Sequence, residues 1–218
     1  MAADNDPFDW YEDIRATYDV VAEQYAIDYF DELSRKPFDR ELLAKFAELM
    51  PKTGLVCDMG CGPGHVGRYL AGLGLDVIGV DVSPAMLAVA CRLNPDLAFE
   101  QGDMLRLPFA DGCFAGIVAF YSVIHIDRTS VPQALGELHR VLARGGQTLI
   151  AFHVGAGEVH REEFQGHQVA FHATFFGIEE MEGFLEAAGF LVEESLDREP
   201  YDFEHPSRRA YILARKAA

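Results

Sequence analysis

The stretch that decides the fold reads Val56-Cys57-Asp58-Met59-Gly60-Cys61-Gly62-Pro63-Gly64-His65-Val66-Gly67-Arg68-Tyr69-Leu70. An apolar run enters a loop with three glycines, and a helical pattern follows, which predicts a strand, a tight turn and a helix. Glycine adopts positive φ at little cost and lets a ligand lie against the backbone. The first N–H groups of the next helix are free to bind a polar or anionic group. We expect Asp58 to point its carboxylate into the same crevice, so the stretch predicts a site for a nucleotide-like ligand.

Composition limits the classes of protein that are possible. The chain has 218 residues, 50% of them hydrophobic, which fits one domain over 1–218. Its 35 acidic and 18 basic residues give a formal net charge of −17. Such a charge repels phosphate backbones and anionic lipid, so neither a nucleic acid nor a membrane is expected as a partner.

Targeting and redox signals are few. The longest apolar stretch, 113–126, is too short to span a bilayer, and the acidic N-terminus does not resemble a secretion signal. The four cysteines have no metal-ligand spacing, which predicts free, mostly buried thiols in a reducing compartment. The prediction is a cytoplasmic protein.

The first 50 residues are predicted to be mainly helical, after an acidic and loose segment at 1–9. Apolar and aromatic residues recur every three or four positions in 10–30 and again in 38–49, which predicts two helices. Tyr18 and Tyr25 have two open interpretations. They either pack against the core, or they form a lid whose aromatic faces lie over a cationic ligand.

From Leu55 onward strands and helices alternate, which is typical of an α/β fold with a parallel sheet. In such a sheet, ligands bind at the carboxyl ends of the strands. The predicted strands cover 55–59, 75–80, 97–101, 114–121 and 147–153, and the helices cover 64–73, 84–93 and 130–143, the last closed by Gly145-Gly146. A helix at 178–188 follows, and strands 190–196 and 209–215 are joined by too short a link for a crossover helix, so they are predicted to pair antiparallel.

The predicted strand ends carry carboxylates. Strand one ends at Asp58, strand two at Asp81 and strand three at Gly102-Asp103-Met104. An acid after strand two accepts the hydroxyl groups of a ribose, and Asp103 with Met104 suits an adenine edge and face. Three carboxylates around one crevice favour a ligand with hydroxyls and amines over a di- or triphosphate.

Taken together, these motifs resemble the class I, Rossmann-like methyltransferases that depend on S-adenosylmethionine. The resemblance rests on Asp58 to Gly64, Gly79 to Leu87, Gly102-Asp103 and the strand into Tyr121 to His125. Residues 18–26 resemble the cofactor lid of the small-molecule branch. The resemblance implies a three-layer Rossmann-like sandwich whose seven-stranded, mostly parallel sheet has the order 3-2-1-4-5-7-6, with the last strand antiparallel. It also implies a cofactor site made of Tyr18, Tyr25, Asp58, Gly60, Gly62, Gly64, Asp81, Val82, Met86, Asp103, Met104 and Tyr121.

One alternative is a dinucleotide-binding fold, because residues 62–67 satisfy G-x-G-x-x-G and Asp81 follows at a suitable distance. That motif starts two residues too late after the strand, and a lone match of this kind is a weak signal. The observed order of glycines and acids fits an aminoacyl nucleoside better.

Candidate catalytic residues are His125, Tyr121 and His153, which follow strands four and five. A base is required only if the acceptor is protonated at neutral pH. Residues 154–177 are predicted to be an irregular insertion that covers the substrate, and their histidines show no metal-ligand spacing, so no metal is expected.

The sequence therefore predicts transfer of a methyl group to a small-molecule acceptor, with O- or N-methylation favoured. A segment of the Asn/Asp-Pro-Pro-Tyr type, used on nucleic-acid bases, is absent after strand four. The alternative from another class is a regulatory module that binds S-adenosylmethionine or its demethylated product without catalysis. The protein is expected to be a monomer or a homodimer.

Overall fold

The computed structural model describes residues 7–51 and 53–217. The segment at 1–9 is expected to be loose. Its first six residues lie outside the described residues, and from Pro7 onward the chain is helical, contrary to that expectation. The described helices are α1 (Pro7–Tyr29), α2 (Pro37–Leu49), α3 (His65–Gly72), α4 (Pro84–Leu93), α5 (Val131–Val141) and α6 (Ile178–Ala187).

Local chemistry explains where several helices begin. Proline opens α1, α2 and α4, and it is well tolerated in the first turn because its missing N–H would have no intrahelical partner there. The Ser83 side chain accepts a hydrogen bond from the Met86 N–H at 3.1 Å, which caps α4 as the sequence predicts.

A seven-stranded sheet forms the centre of the molecule, and a separate two-stranded ribbon lies beside it. The strands are β1 (Leu55–Met59), β2 (Asp76–Asp81), β3 (Ala98–Gln101), β4 (Phe114–Phe120), β5 (Leu142–His153), β6 (Glu158–Phe164), β7 (His167–Thr174), β8 (Phe190–Arg198) and β9 (Arg209–Lys216). The order in the large sheet is β3-β2-β1-β4-β5-β9-β8. Counting only its seven strands, this is the predicted order 3-2-1-4-5-7-6.

The sheet is parallel except for β9, which pairs antiparallel with both β5 and β8. Apolar side chains from α5 and α6 pack in one core, and those from α2 and α3 pack in another. The three-layer α/β fold is therefore confirmed.

Two local predictions are wrong. Helix α5 ends at Val141 and β5 starts immediately, so Gly145 and Gly146 lie inside a strand rather than closing a helix. A Cβ on Gly146 would lie 2.9 Å from the Ala115 carbonyl oxygen, so this glycine permits a close approach of β5 to β4. The expected irregular stretch at 154–177 is largely the β6–β7 hairpin, whose alternating pattern is masked by polar side chains on both faces.

The cysteines differ in part from the prediction. All four cysteines are free, but Cys91 and Cys113 are exposed, so the expectation of mostly buried thiols holds for only two. Within the described ranges, no helix combines the length and the hydropathy that a membrane span requires.

Candidate functional site

The glycine loop between β1 and α3 is held in a conformation that only some residues adopt. Gly60 and Gly62 have φ of 71° and 52°. The Gly60 and Cys61 N–H groups both donate to the Val80 carbonyl oxygen, at 2.7 and 3.0 Å, which ties the loop to the end of β2. A Cβ on Gly60 would lie 2.2 Å from the Ser122 Cβ, so the loop fits tightly against the segment after β4.

Asp81 is the carboxylate around which this end of the sheet is arranged. It accepts hydrogen bonds from the Gly62 N–H at 2.8 Å and the Ser83 N–H at 2.9 Å. Burial raises its pKa, although these N–H donors act in the opposite direction. The carboxylate thus fixes the glycine loop and the start of α4 while lining a cavity.

That cavity, which we call the cofactor cavity, lies between the strand ends and α1. It is bounded by the segments at the ends of four strands, β1 to β4, together with the inner face of α1. Nine residues predicted from sequence line it: Tyr18, Tyr25, Gly60, Gly62, Asp81, Val82, Met104, Tyr121 and His125. None of its lining residues is a lysine or an arginine, so the cavity suits a nucleoside without phosphates.

Four predicted cofactor contacts lie outside the cofactor cavity. Asp58 does not point into the crevice: it is 1% exposed and accepts from the Gly67 N–H at 2.8 Å beneath the loop, and burial raises its pKa to about 6. The Gly64 N–H donates to the Cys61 carbonyl oxygen, and Met86 packs with the inner face of α1. The Asp103 carboxylate accepts from the Leu105 N–H at 2.7 Å, while its neighbours Gly102 and Met104 line the cavity.

Helix α1 closes the cofactor cavity with three tyrosines. Tyr11, Tyr18 and Tyr25 all line it, and their spacing of seven residues places them on one helix face. The sequence motifs did not predict Tyr11, although this spacing could have identified it. Its hydroxyl lies beside Asp103, and burial, followed by that carboxylate, raises its pKa. The same helix is attached through Asp19, whose carboxylate accepts from the Ser83 hydroxyl at 2.6 Å.

A second cavity, the acceptor cavity, has a volume of about 300 Å³, within the range of small-molecule sites. The β6–β7 hairpin forms one wall, and the loop between β8 and β9 forms another. The two cavities share a boundary made of four side chains: Tyr18, Tyr25, Tyr121 and His125.

His125 lies at this boundary in a defined tautomer. Its Nδ1 is 2.9 Å from the His172 carbonyl oxygen, so Nδ1 carries the proton and donates. Its Nε2 therefore accepts from the Tyr18 hydroxyl, 2.7 Å away. Burial lowers the pKa of His125 to about 4, so the ring is neutral at pH 7.

The other two catalytic candidates are placed differently. The Tyr121 hydroxyl pairs with the Tyr211 hydroxyl at 2.9 Å, and Asp39 lies 3.5 Å away, so this hydroxyl already takes part in a hydrogen-bond network. His153 lines only the acceptor cavity, and its Nδ1 is 2.8 Å from the Ser207 hydroxyl. Burial and nearby positive groups lower its pKa to about 3.

Buried neutral histidines make stability depend on pH. In the unfolded chain a histidine binds a proton below about pH 6.5, whereas folded His153 remains neutral down to about pH 3. The unfolded state therefore binds more protons in this window, and stability falls as the pH is lowered from about 6.5. We expect His153→Asn to reduce the slope of unfolding free energy between pH 5 and 6.5 by up to about 1.4 kcal/mol per pH unit.

Urea unfolding at several pH values measures this slope. The control is His167→Asn, at an exposed position on the hairpin, which should keep the slope of the parent protein. Identical slopes for both variants and the parent would contradict the placement of His153 as a buried neutral group.

Among the described residues, no group of three or more His, Cys, Asp or Glu side chains could hold a metal ion.

Comparison with known proteins agrees with this geometry. Residues 56–146 match the model of a family described as "Methyltransferase domain". The fold, the glycine loop and the family match over 56–146 together make the chain similar to the class I, Rossmann-like methyltransferases that depend on S-adenosylmethionine.

Particular relatives are similar over part of their length. A malonyl-(acyl-carrier protein) O-methyltransferase of Pectobacterium atrosepticum is 42% identical over 127 residues, which cover 57% of this chain and 47% of that protein. A demethylmenaquinone methyltransferase of Beutenbergia cavernae is 32% identical over 151 residues, covering 68% and 59%. The chain thus spans about half the length of these curated relatives.

A solved structure resembles the whole chain. It is the 1,6-didemethyltoxoflavin-N1-methyltransferase of Burkholderia thailandensis, with bound 1,6-didemethyltoxoflavin and S-adenosylhomocysteine. The TM-score is 0.77 at 19% identity, covering 100% of this chain and 93% of that chain. At this identity the likeness concerns the fold.

Proposed function

We propose that this chain is an enzyme that transfers a methyl group from S-adenosylmethionine to an oxygen or nitrogen of a small molecule. The observation that carries the proposal is the meeting of two cavities at one boundary, where Tyr18 and His125 are joined by a hydrogen bond. A module that only binds the cofactor has no use for a second cavity of about 300 Å³.

The cofactor site follows from the lining residues. The methionyl part lies along the loop backbone at Gly60 and Gly62, which line the cavity, and Asp81 accepts the ribose hydroxyls. Gly102 and Met104 lie where an adenine would contact backbone and an apolar side chain. When bound, S-adenosylmethionine supplies an electrophilic methyl group on a sulfonium.

The residues of the chain position the acceptor and exclude water. Alignment of two reactants alone can lower a barrier by about 7 to 11 kcal/mol. The tyrosines of α1 separate the boundary from solvent, and their aromatic faces suit a sulfonium cation. As the acceptor gives its proton to the Tyr18 oxygen, the Tyr18 hydroxyl proton passes to Nε2 of neutral His125, so this pair is the proposed route for the proton of the acceptor.

We also propose a monomer or a homodimer that works in the cytoplasm on small molecules, with neither nucleic acid nor membrane as a partner. The free thiols and the net charge of −17 support this setting.

The test uses the whole chain with S-adenosylmethionine labelled on the methyl group. We expect S-adenosylhomocysteine to bind by calorimetry, and a labelled product to form when a fractionated extract of small metabolites is added. Cofactor binding without a labelled product from any fraction would favour the regulatory alternative.

His125→Ala is expected to lower turnover at least tenfold while changing the affinity for S-adenosylhomocysteine less than threefold, since proton transfer contributes about 10²-fold or more and the cofactor has other contacts. Steady-state kinetics and calorimetry measure the two quantities. A matched control is His139→Ala, on α5 at the opposite end of the molecule from the boundary. Equal losses of turnover and affinity in His125→Ala would remove its role in proton transfer.

A further inference from the structure

The acceptor cavity carries a positive charge in a strongly negative protein. Four basic and two acidic side chains line it, although the chain has a formal net charge of −17. The basic residues are Arg35, Lys36, Arg161 and Arg209, and the acidic residues are Glu32 and Glu204.

Both acids are already paired within the protein. The Glu204 carboxylate lies 2.7 Å from Arg198 Nη1 and 3.1 Å from Lys36 Nζ. The Glu32 carboxylate lies 2.8 Å from the same Lys36 Nζ and 3.2 Å from His65 Nε2. These contacts hold the pKa of each acid at about 2, against the effect of burial. Lys36 is thus neutralised, and the acids cannot compensate further positive charge.

Three guanidinium groups on the cavity wall keep unused donors. One of them, Arg35, is exposed and lies over the Phe203 ring, 4.3 Å from its centroid. The side chain of Arg209 is 4% exposed; its hydrogen bonds to His205 and Ser207 all use Nη1, and its Nε is 3.8 Å from Glu204. Among the described residues, no hydrogen bond uses Arg209 Nη2. Arg161, on β6, is exposed and has no ion pair or side-chain hydrogen bond with any described residue. A guanidinium that lines a cavity and keeps a free N–H favours an acceptor bound in that cavity.

Aromatic rings form the rest of the wall. Phe164 and Phe171 stack on the hairpin with their centroids 4.2 Å apart, and Phe175 and Phe203 line the cavity as well. Flat aromatic surfaces of this kind favour a planar ligand. The low pKa of His153 has burial as its first cause and the positive charge of Arg209 as its second, which agrees with a positive potential inside the cavity.

Resting on the proposed function, we propose that the methyl acceptor is a planar aromatic molecule with a negatively charged group, bound by Arg209 Nη2 and Arg161. The ring packs against the phenylalanine side chains of the wall, in the cavity that shares a boundary with the cofactor cavity. Arg161 then determines specificity for charge, because it is a cation on the hairpin wall that forms no ion pair with any described acid.

The experiment compares 1-naphthoate with 1-naphthamide, which have nearly the same shape and differ in charge. Binding is measured by calorimetry on the whole chain saturated with S-adenosylhomocysteine. We expect the naphthoate to bind at least about tenfold more tightly, as for a charge-assisted hydrogen bond to a buried group. Arg161→Gln should weaken naphthoate about threefold or more and leave naphthamide within twofold.

The control is Arg144→Gln, which removes one positive charge from an exposed position near the start of β5. The cavities lie at the other ends of the strands. It should leave both affinities unchanged. Equal affinity for the two probes, or equal effects of Arg161→Gln and Arg144→Gln, would overturn the inference. Failure of S-adenosylhomocysteine to bind, measured first, would instead overturn the proposed function, so the two failures are distinguishable.

Discussion

Asp81→Ala is expected to weaken binding of S-adenosylhomocysteine about tenfold to a hundredfold. The carboxylate is predicted to accept hydrogen bonds from the ribose, and hydrogen bonds to a charged group contribute about 1.5 to 3 kcal/mol. The substitution also removes the acceptor of the Gly62 and Ser83 N–H groups, so the loop loses one of its connections to β2 and keeps those to the Val80 carbonyl oxygen. Calorimetric titration of the purified variant measures the affinity, and thermal unfolding reports whether the fold persists.

The matched control is Asp76→Ala, at the exposed start of the same strand. It removes the same charge from β2 but lies far from the cofactor cavity, so its affinity should equal that of the parent. If Asp81→Ala is folded and binds S-adenosylhomocysteine as tightly as the parent, the ribose assignment is wrong.

Gly60→Ala is expected to lower the free energy of unfolding by about 2 to 5 kcal/mol and to abolish measurable cofactor binding. The new Cβ would lie 2.2 Å from the Ser122 Cβ, an atom whose position is fixed by the backbone, so rotation of a side chain cannot relieve the overlap. The positive φ of 71° adds strain for any residue other than glycine. Relief requires the loop to move away from β4, which displaces the backbone that is expected to contact the methionyl group.

Gly74→Ala separates strain from overlap. Gly74 has φ of 93°, but nothing lies within 4 Å of the position of its Cβ. This variant should therefore lose only about 1 to 2 kcal/mol in urea unfolding and keep its cofactor affinity. If the two variants lose the same stability, the contact between Gly60 and Ser122 does not constrain the loop.

Periodicity and glycine placement were sufficient to predict the central sheet. Strands such as β1 and β4 are short apolar runs between turn residues, and the helices between strands repeat apolar residues every three or four positions. The alternation of these two patterns along the chain predicts alternating strands and helices. The order of the strands came from the family resemblance. The glycine loop and Asp81 were correctly placed at the strand ends because parallel strands bring these ends to one edge.

The direction of a side chain was harder to predict than its position. Asp58 lies in β1 one residue before its end, yet alternation along the strand sends its carboxylate under the loop to Gly67. The sequence predicts Arg209 only as the first residue of a strand. That its Nη2 has no partner among the described residues depends on contacts between side chains far apart in the sequence. The hairpin at 158–174 escaped prediction because polar residues on both faces conceal the period of two.

The hairpin strands also have a consequence for how specificity can change. Strands β6 and β7 hydrogen-bond with each other and not with the central sheet, whose order passes directly from β5 to β9. The segment that provides Arg161 and two of the aromatic walls can therefore vary in sequence and length without shifting the register of any core strand. The acceptor can diversify in evolution while the cofactor cavity, built on the sheet itself, stays constant.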